Sequence, residues 1–300
     1  MHRGIRASVI TLALIAAGCG ASDEPASTTS VGSVVTTTAP TATTTEPPTT
    51  TTEPPTTAAP RLVDVKVYLV RGQRLAIAHR RVAAPAILRG ALDALFDGLT
   101  ATDRAEGLTT AVPAGTRLRD VALADGTATV DLTGSFGSGG GSLSMSVRLA
   151  QVLYTATQFA NVERVVLRLD GIPVGVLGGE GLTIEGPLTR ASVPNQISGG
   201  ILVDQPRPGS TVRSPFVVTG EGDVYEGEFA IAVYRGSTQV AFLFGIRTGA
   251  WGTWAPFSAT ISLDIGPGPI RLVIDTPNPC GDDPECPPKI VTELLLPLAG

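Results

Sequence analysis

Histidine, lysine and cysteine are scarce in this chain, and each scarcity removes a class of chemistry. Only two histidines, His2 and His79, occur in 300 residues. A Ser-His-Asp triad would have to be built on His79, and no G-x-S-x-G elbow accompanies it. Between Ala78 and Arg80 on an expected strand, His79 reads as a surface or rim residue. The three cysteines, Cys19, Cys280 and Cys286, are too few beside two histidines for the ligand sets of zinc sites. No metal and no cofactor is expected. Lys66 and Lys289 are the only lysines, and the formal charge is −5, which argues against nucleic acid as a partner. No apolar run approaches the ~20 residues needed to span a bilayer as a helix.

The N-terminus does carry an export pattern. Arg3 and Arg6 precede an apolar stretch from Ala7 to Ala17, and Ile15-Ala16-Ala17-Gly18-Cys19 places small residues before a cysteine. This resembles a bacterial lipoprotein signal, which implies cleavage before Cys19, acylation of its thiol and attachment to the outer face of a membrane. An ordinary cleaved secretory signal and an uncleaved anchor are the alternatives. Loss of Arg3 and Arg6 with residues 1–18 leaves 20 basic against 27 acidic residues, a net −7.

Residues 20–61 are almost entirely Thr, Ser, Pro, Ala and Glu, and Thr-Thr-Glu-Pro-Pro-Thr-Thr occurs at 44–50 and again at 51–57. Such a composition cannot build a core and reads as a disordered linker. In polyproline-like form its roughly 40 residues would reach about 120 Å. About 240 residues remain, enough for two ordinary domains.

Residues 62–191 read as a compact α+β domain. Alternation at Val65, Val67 and Leu69 predicts a strand, and a second spans Leu75 to Val82. Leu88, Ala91, Leu92, Leu95, Phe96 and Leu99 recur at helical spacing after Pro85, with Gly98 as the stop. Asp125-Gly126 predicts a hairpin between Val121–Ala124 and Ala128–Leu132. Ser142 is placed to cap a helix running to about Ala160. Asp170-Gly171 predicts a second hairpin, between Val165–Leu169 and Val174–Leu177.

Residues 199–300 lose the helical period. Short apolar runs at 201–204, 215–220, 228–235, 238–246, 256–264, 269–275 and 290–297 predict an all-β immunoglobulin-like sandwich, with Trp251, Trp254 and Phe257 as core aromatics. Cys280 and Cys286 flank Gly281-Asp282-Asp283-Pro284-Glu285. In an exported protein they read as a disulfide, worth about 2 kcal/mol for so short a loop. Asp282, Asp283 and Glu285 offer oxygen ligands to a metal instead, but the spacing is no calcium loop.

Other candidate chemistry has plainer explanations. Gly137-Ser138-Gly139-Gly140-Gly141 before a helix is similar in outline to a phosphate-binding loop, yet lacks Gly-Lys-Ser/Thr and reads as a flexible connection. Asp125, Asp131 and Asp170 offer carboxylates for a glycosidase pair, but Asp125 and Asp170 stand before glycine, where Asp serves turns. Trp251 and Trp254 could stack on a sugar, although tryptophan in a sandwich more often fills the core.

Val65-Lys66-Val67-Tyr68, Ala94-Leu95-Phe96-Asp97-Gly98-Leu99, Gly107-Leu108-Thr109-Thr110-Ala111-Val112-Pro113-Ala114-Gly115-Thr116 and Gly126-Thr127-Ala128-Thr129-Val130-Asp131-Leu132 resemble the GerMN domain of sporulation and spore-germination proteins. Gln158 to Val165 and Leu169-Asp170-Gly171 continue the likeness. Pro208-Gly209-Ser210-Thr211-Val212-Arg213-Ser214-Pro215, Val218-Thr219-Gly220, Val224-Tyr225-Glu226 and Trp254-Ala255-Pro256-Phe257 resemble the immunoglobulin-like domain that accompanies it. The resemblance implies a membrane-tethered, non-catalytic envelope protein, with no catalytic residues to carry over. Its expected partners are the membrane, through the lipid, and an envelope protein or peptidoglycan component. The sheet edges of the α+β domain are where a partner strand could add. Related domains in actinobacterial lipoproteins, one of them associated with a sensor kinase, give a second reading as a sensory accessory protein. Wall-carbohydrate binding through the tryptophans is a third.

Overall fold

The computed structural model describes residues 60–179, 181–276 and 291–300. Cys19, the Thr/Pro-rich segment to residue 59, Cys280 and Cys286 lie outside the described residues. Residues Thr57–Gly300 form one compact unit. Among the described residues, no helix is long and apolar enough to cross a membrane.

The chain begins with a hairpin of β1 (Leu62–Arg71) and β2 (Arg74–Ala83), followed by α1 (Ile87–Phe96). Helix α1 buries Ala91, Leu92, Leu95 and Phe96, the stripe its spacing predicts, and Gly98 beyond its end takes a left-handed φ of +87°. A five-residue helix α2 (Ala101–Ala105) was not anticipated. Its signal is local: Thr100 and Asp103 form a capping box, each side chain accepting from the other's backbone N–H.

Next come β3 (Leu118–Ala124), β4 (Thr127–Leu132), the central helix α3 (Ser142–Ala156), β5 (Arg164–Leu169) and β6 (Ile172–Pro173). Asp125 and Gly126 take φ of +47° and +71°, which the tight β3–β4 turn requires. Strands β4 and β5 pair in parallel, with α3 as the crossover, giving a β3-β4-β5-β6 sheet. Two expectations need correction. Gly141, not Ser142, is the N-cap of α3, and Ser142 is its first helical residue with no capping bond. The partner of β5 is the two-residue β6, with Val174 adding one bond to Leu167, whereas Val176–Leu177 forms β7 and turns to pair with β8 (Leu182–Thr183).

Helix α3 is buried almost all round, so its polar side chains must find partners. Gln151 donates to the Tyr68 carbonyl at 2.9 Å, Thr155 accepts from the Tyr68 N–H at 3.1 Å, and Gln158, just past the helix end, bonds both main-chain groups of Lys66 at 2.7 Å. The free edge of β1 is thus closed by helix side chains, and Val70 is closed by its bridge to Thr109. A partner strand cannot add there.

After the four-residue α4 (Asn195–Ser198), the all-β part follows. It comprises β9 (Ile201–Gln205), β10 (Phe216–Gly222), β11 (Glu228–Arg235), β12 (Thr238–Arg247), β13 (Ala255–Ile261), β14 (Gly268–Asp275) and β15 (Val291–Leu298). Two antiparallel sheets, β13-β10-β9 and β12-β11-β14-β15, face each other as the sandwich that the seven apolar runs predict. Phe229 and Phe257 meet edge-on at 4.8 Å between them. Their core is built from alternating inward residues such as Val218, Ile231, Val233, Leu272, Ile274 and Leu296.

Gly220 on β10 sits where a Cβ would lie 2.2 Å from the Leu202 carbonyl oxygen and 2.7 Å from the Phe257 ring. Gly220→Ala should therefore destabilise the fold by about 1–3 kcal/mol, seen as a lower urea midpoint at unchanged slope.

Candidate functional site

Tyr68, Tyr154, Arg190 and Glu221, none of them a candidate on sequence, meet Trp254 where β1 and α3 face the first sheet of the sandwich. Tyr68 is buried because it points from β1 toward α3, where its ring lies 5.5 Å from Tyr154. Trp254, at the start of β13, packs edge-on to Tyr154 at 5.2 Å. The tryptophan expected in the sandwich core thus leans on the core of the other domain, which also receives Leu202 from β9. Trp251 is 58% exposed and is not a core residue either; it rests against Tyr225 at 5.0 Å. Only Phe257 of the three lies in the sandwich core.

Arg190 enters this aromatic cluster from the loop before α4. Its guanidinium stands 4.5 Å from the Tyr154 ring centroid and 5.8 Å from those of Tyr68 and Trp254. It donates to Glu221 of β10 at 2.6 Å and to the Thr157 hydroxyl at 2.9 Å, at the C-terminus of α3, where the helix dipole favours a cation. The Tyr68 hydroxyl donates to the other Glu221 oxygen. Burial, reinforced by the Glu221 carboxylate, pushes the Tyr68 hydroxyl well above its usual range, and burial pushes Tyr154 up as well, so both remain protonated donors. Burial opposes the charge on Arg190, but Glu221 more than restores it.

A second polar cluster lies beside the first. Asp204 of β9 faces Lys66 at 3.2 Å and His79 at 3.0 Å. His79 is therefore no free surface residue but a partner across the domain junction, its side chain 14% exposed. Burial raises the Asp204 carboxyl, yet the hydrogen bonds from His79 and Lys66 outweigh it and hold it below the ordinary carboxylate range. Asp103, buried and paired with Arg80, is held low in the same way: burial opposes, and the bonds from Arg80 and Thr100 prevail.

The remaining sequence candidates are structural. Around 137–141 the loop turns its carbonyls inward, and Ser138 and Gly139 accept from the Arg148 guanidinium at 3.0 and 3.2 Å. It cradles a cation of the chain itself, the reverse polarity of a phosphate loop. Asp131 accepts from the Gly171 N–H at 2.9 Å, Asp170 accepts from the Gly134 N–H at 3.0 Å, and both pair with Arg119. Asp125 shapes its turn. Among the described residues, no three His, Cys, Asp or Glu side chains converge on a point that could hold a metal ion.

Local sequence gave no sign of the junction, since Tyr68 and Glu221 stand 153 positions apart and Arg190 and Glu221 stand 31 apart. Each taken alone resembles an ordinary strand aromatic or surface charge.

The family comparisons agree with this two-part architecture. Residues 58–175 match the family model described as Germane, sporulation and spore germination. Residues 200–279 match Gmad2, the immunoglobulin-like domain of bacterial spore germination. The chain thus joins a Germane domain to a Gmad2 immunoglobulin-like domain. Among solved structures it is similar to the tandem GerMN domains of the sporulation protein GerM from Bacillus subtilis, with 15% identity, a TM-score of 0.40 and coverage of 67% of this chain and 62% of that one. The first GerMN domain of the same protein gives 21% identity and a TM-score of 0.35, over 43% of this chain and 98% of that one. A protein from Clostridium perfringens described as a lipoprotein gives 18% identity and 0.33, over 45% and 91%. The chain spans about three fifths of the tandem GerM structure. No curated protein sequence matches it.

Two outcomes test the junction. Glu221→Gln should cost about 3 kcal/mol by leaving Arg190 buried without its counter-charge, whereas Arg190→Met with Glu221→Leu should recover most of that loss. Recovery stays incomplete because the Tyr68 hydroxyl loses its acceptor. Urea denaturation of wild type and the two variants supplies the comparison. The depressed carboxyls of Asp103 and Asp204 stabilise the fold fully above their unfolded value near pH 4, and that contribution is lost as pH falls through the folded value. Stability measured from about pH 5 to pH 2 should drop, and Asp204→Asn should flatten the drop.

Proposed function

We propose that this is a lipid-anchored, non-catalytic binding or scaffold protein of the cell envelope, held to the membrane through Cys19 and set off from it by the Thr/Pro-rich linker. The observation that carries this reading is the commitment of the chain's reactive groups to one another. His79 is held by Asp204, Arg190 by Glu221, Asp103 by Arg80, and Asp131 and Asp170 by Arg119 and turn amides. Among the described residues, these pairings fix a shape and commit the groups that could otherwise serve as base or nucleophile. The two family descriptions, both of spore germination or sporulation, support an envelope role. The partner is an envelope protein or a peptidoglycan component, bound by the surface that the locked domains present together. Cys280 and Cys286 form a disulfide in this reading, and thiol labelling under denaturing, non-reducing conditions should find neither free.

Cys19→Ala should release the protein from the membrane fraction, because no other segment reads as an anchor. Fractionation of cells expressing the variant measures this. Retention equal to wild type, reversed only by detergent, would contradict the lipid anchor. Crosslinking on intact cells should capture an envelope component with wild type and lose it when residues 62–191 are deleted.

A further inference from the structure

Two adjoining cavities, of about 230 and 310 Å³, lie along the outer side of β2 where it meets β9. They share Ile77, Val203 and Pro208, so they form one groove across the junction. Leu75 and Leu202 extend its apolar floor. Strands β2 and β9 are each hydrogen-bonded on one side only, to β1 and β10.

The charges around this groove do not cancel. Arg80 is neutralised by Asp103, Asp204 by Lys66, and Glu293 by Arg271 at 2.7 Å. Arg71, Arg74 and Arg207 remain, and among the described residues no carboxylate pairs with any of them. Of the four acidic residues in the lining, Glu106 alone has no ion pair among the described residues; Arg71 reaches its main-chain carbonyl oxygen at 3.4 Å. Three guanidinium groups against one carboxylate make a basic strip in a chain whose formal charge is −5. Moreover, Arg71 and Arg74 stand directly opposite each other across the β1–β2 turn. Like charges in that position are destabilising, and among the described residues no carboxylate pairs with either to offset them.

We propose that this groove is the docking site for an extended acidic segment of a partner protein, its carboxylates on Arg71, Arg74 and Arg207 and its apolar side chains on the floor between β2 and β9. This rests on the binding role proposed above and names the chemistry of the partner. A phosphate polymer would satisfy the arginines but gain nothing from the apolar floor. An alternating acidic and apolar strand uses both, and its backbone can bond to an unpaired strand edge.

The test is fluorescence anisotropy with the full chain in mild detergent and a fluorescein-labelled octapeptide of alternating Glu and Leu. Saturable binding that weakens as salt rises is expected. The doubly charge-reversed variant Arg71→Glu/Arg207→Glu should bind at least about tenfold more weakly and should gain affinity for the matching Lys-Leu peptide. Both arginines are exposed, so thermal unfolding should show the variant folded; if it does not, Arg207→Glu alone carries the comparison. Equal binding by wild type and variant overturns the proposal. So does displacement of the peptide by polyphosphate or by soluble muropeptides at lower concentration than by unlabelled peptide. If the charge-reversed protein still captures its partner on intact cells, the envelope role stands and this groove is not its site.

Discussion

The charge pair between Arg190 and Glu221, its side chains only 13% and 16% exposed, is the constraint on which the arrangement of the two domains depends. It is made by groups from opposite sides of the junction, inside a ring of Tyr68, Tyr154 and Trp254, with little water to screen it. In such surroundings an unpaired charge is very costly, so the geometry in which both ions, the Tyr68 hydroxyl and the Thr157 hydroxyl are satisfied together is sharply preferred. The pair need not add net stability over a well-packed apolar substitute. What it supplies is register: a domain rotated slightly at this contact strands a charge. The Lys66, His79 and Asp204 cluster fixes a second point nearby, which leaves only rotation about the line joining the two.

That arrangement has a consequence for how the protein can meet a partner. Loose domains on a tether would present two independent surfaces, whereas locked domains present a composite one, including the groove between β2 and β9. The closure of β1 by Gln151, Thr155 and Gln158 works in the same direction, because it removes the strand edge that a partner or a second copy would otherwise extend. Strand β3 remains an edge of its own sheet, with most of its residues exposed.

The elements themselves were legible wherever period and turn chemistry agree. Val65, Val67 and Leu69, the α1 stripe from Ala91 to Phe96, the Asp125-Gly126 turn and the seven apolar runs after Gly199 all form what their local patterns predict, because each depends on neighbours within a few residues. The parallel pairing of β4 with β5 was not legible, since period distinguishes strand from helix but not one partner from another. The glycine-rich loop shows a subtler limit. Composition says that its backbone can approach something closely; it does not say whether N–H or C=O groups point inward. Arg148, seven to eleven positions later, settles it by needing carbonyls. Trp254 was misplaced for a related reason: an aromatic at a strand start signals burial but not in which core. His79 drew attention for its rarity, and its partner Asp204 belongs to a different domain.

The central claim is that the junction makes the Germane and Gmad2 domains one cooperative body. Differential scanning calorimetry of the protein at neutral pH tests it most directly. A single transition, with a calorimetric enthalpy equal to the van't Hoff enthalpy and of the size expected for all of residues 57–300, is the predicted result. Two resolved transitions in the unaltered protein, one for each domain, would contradict it.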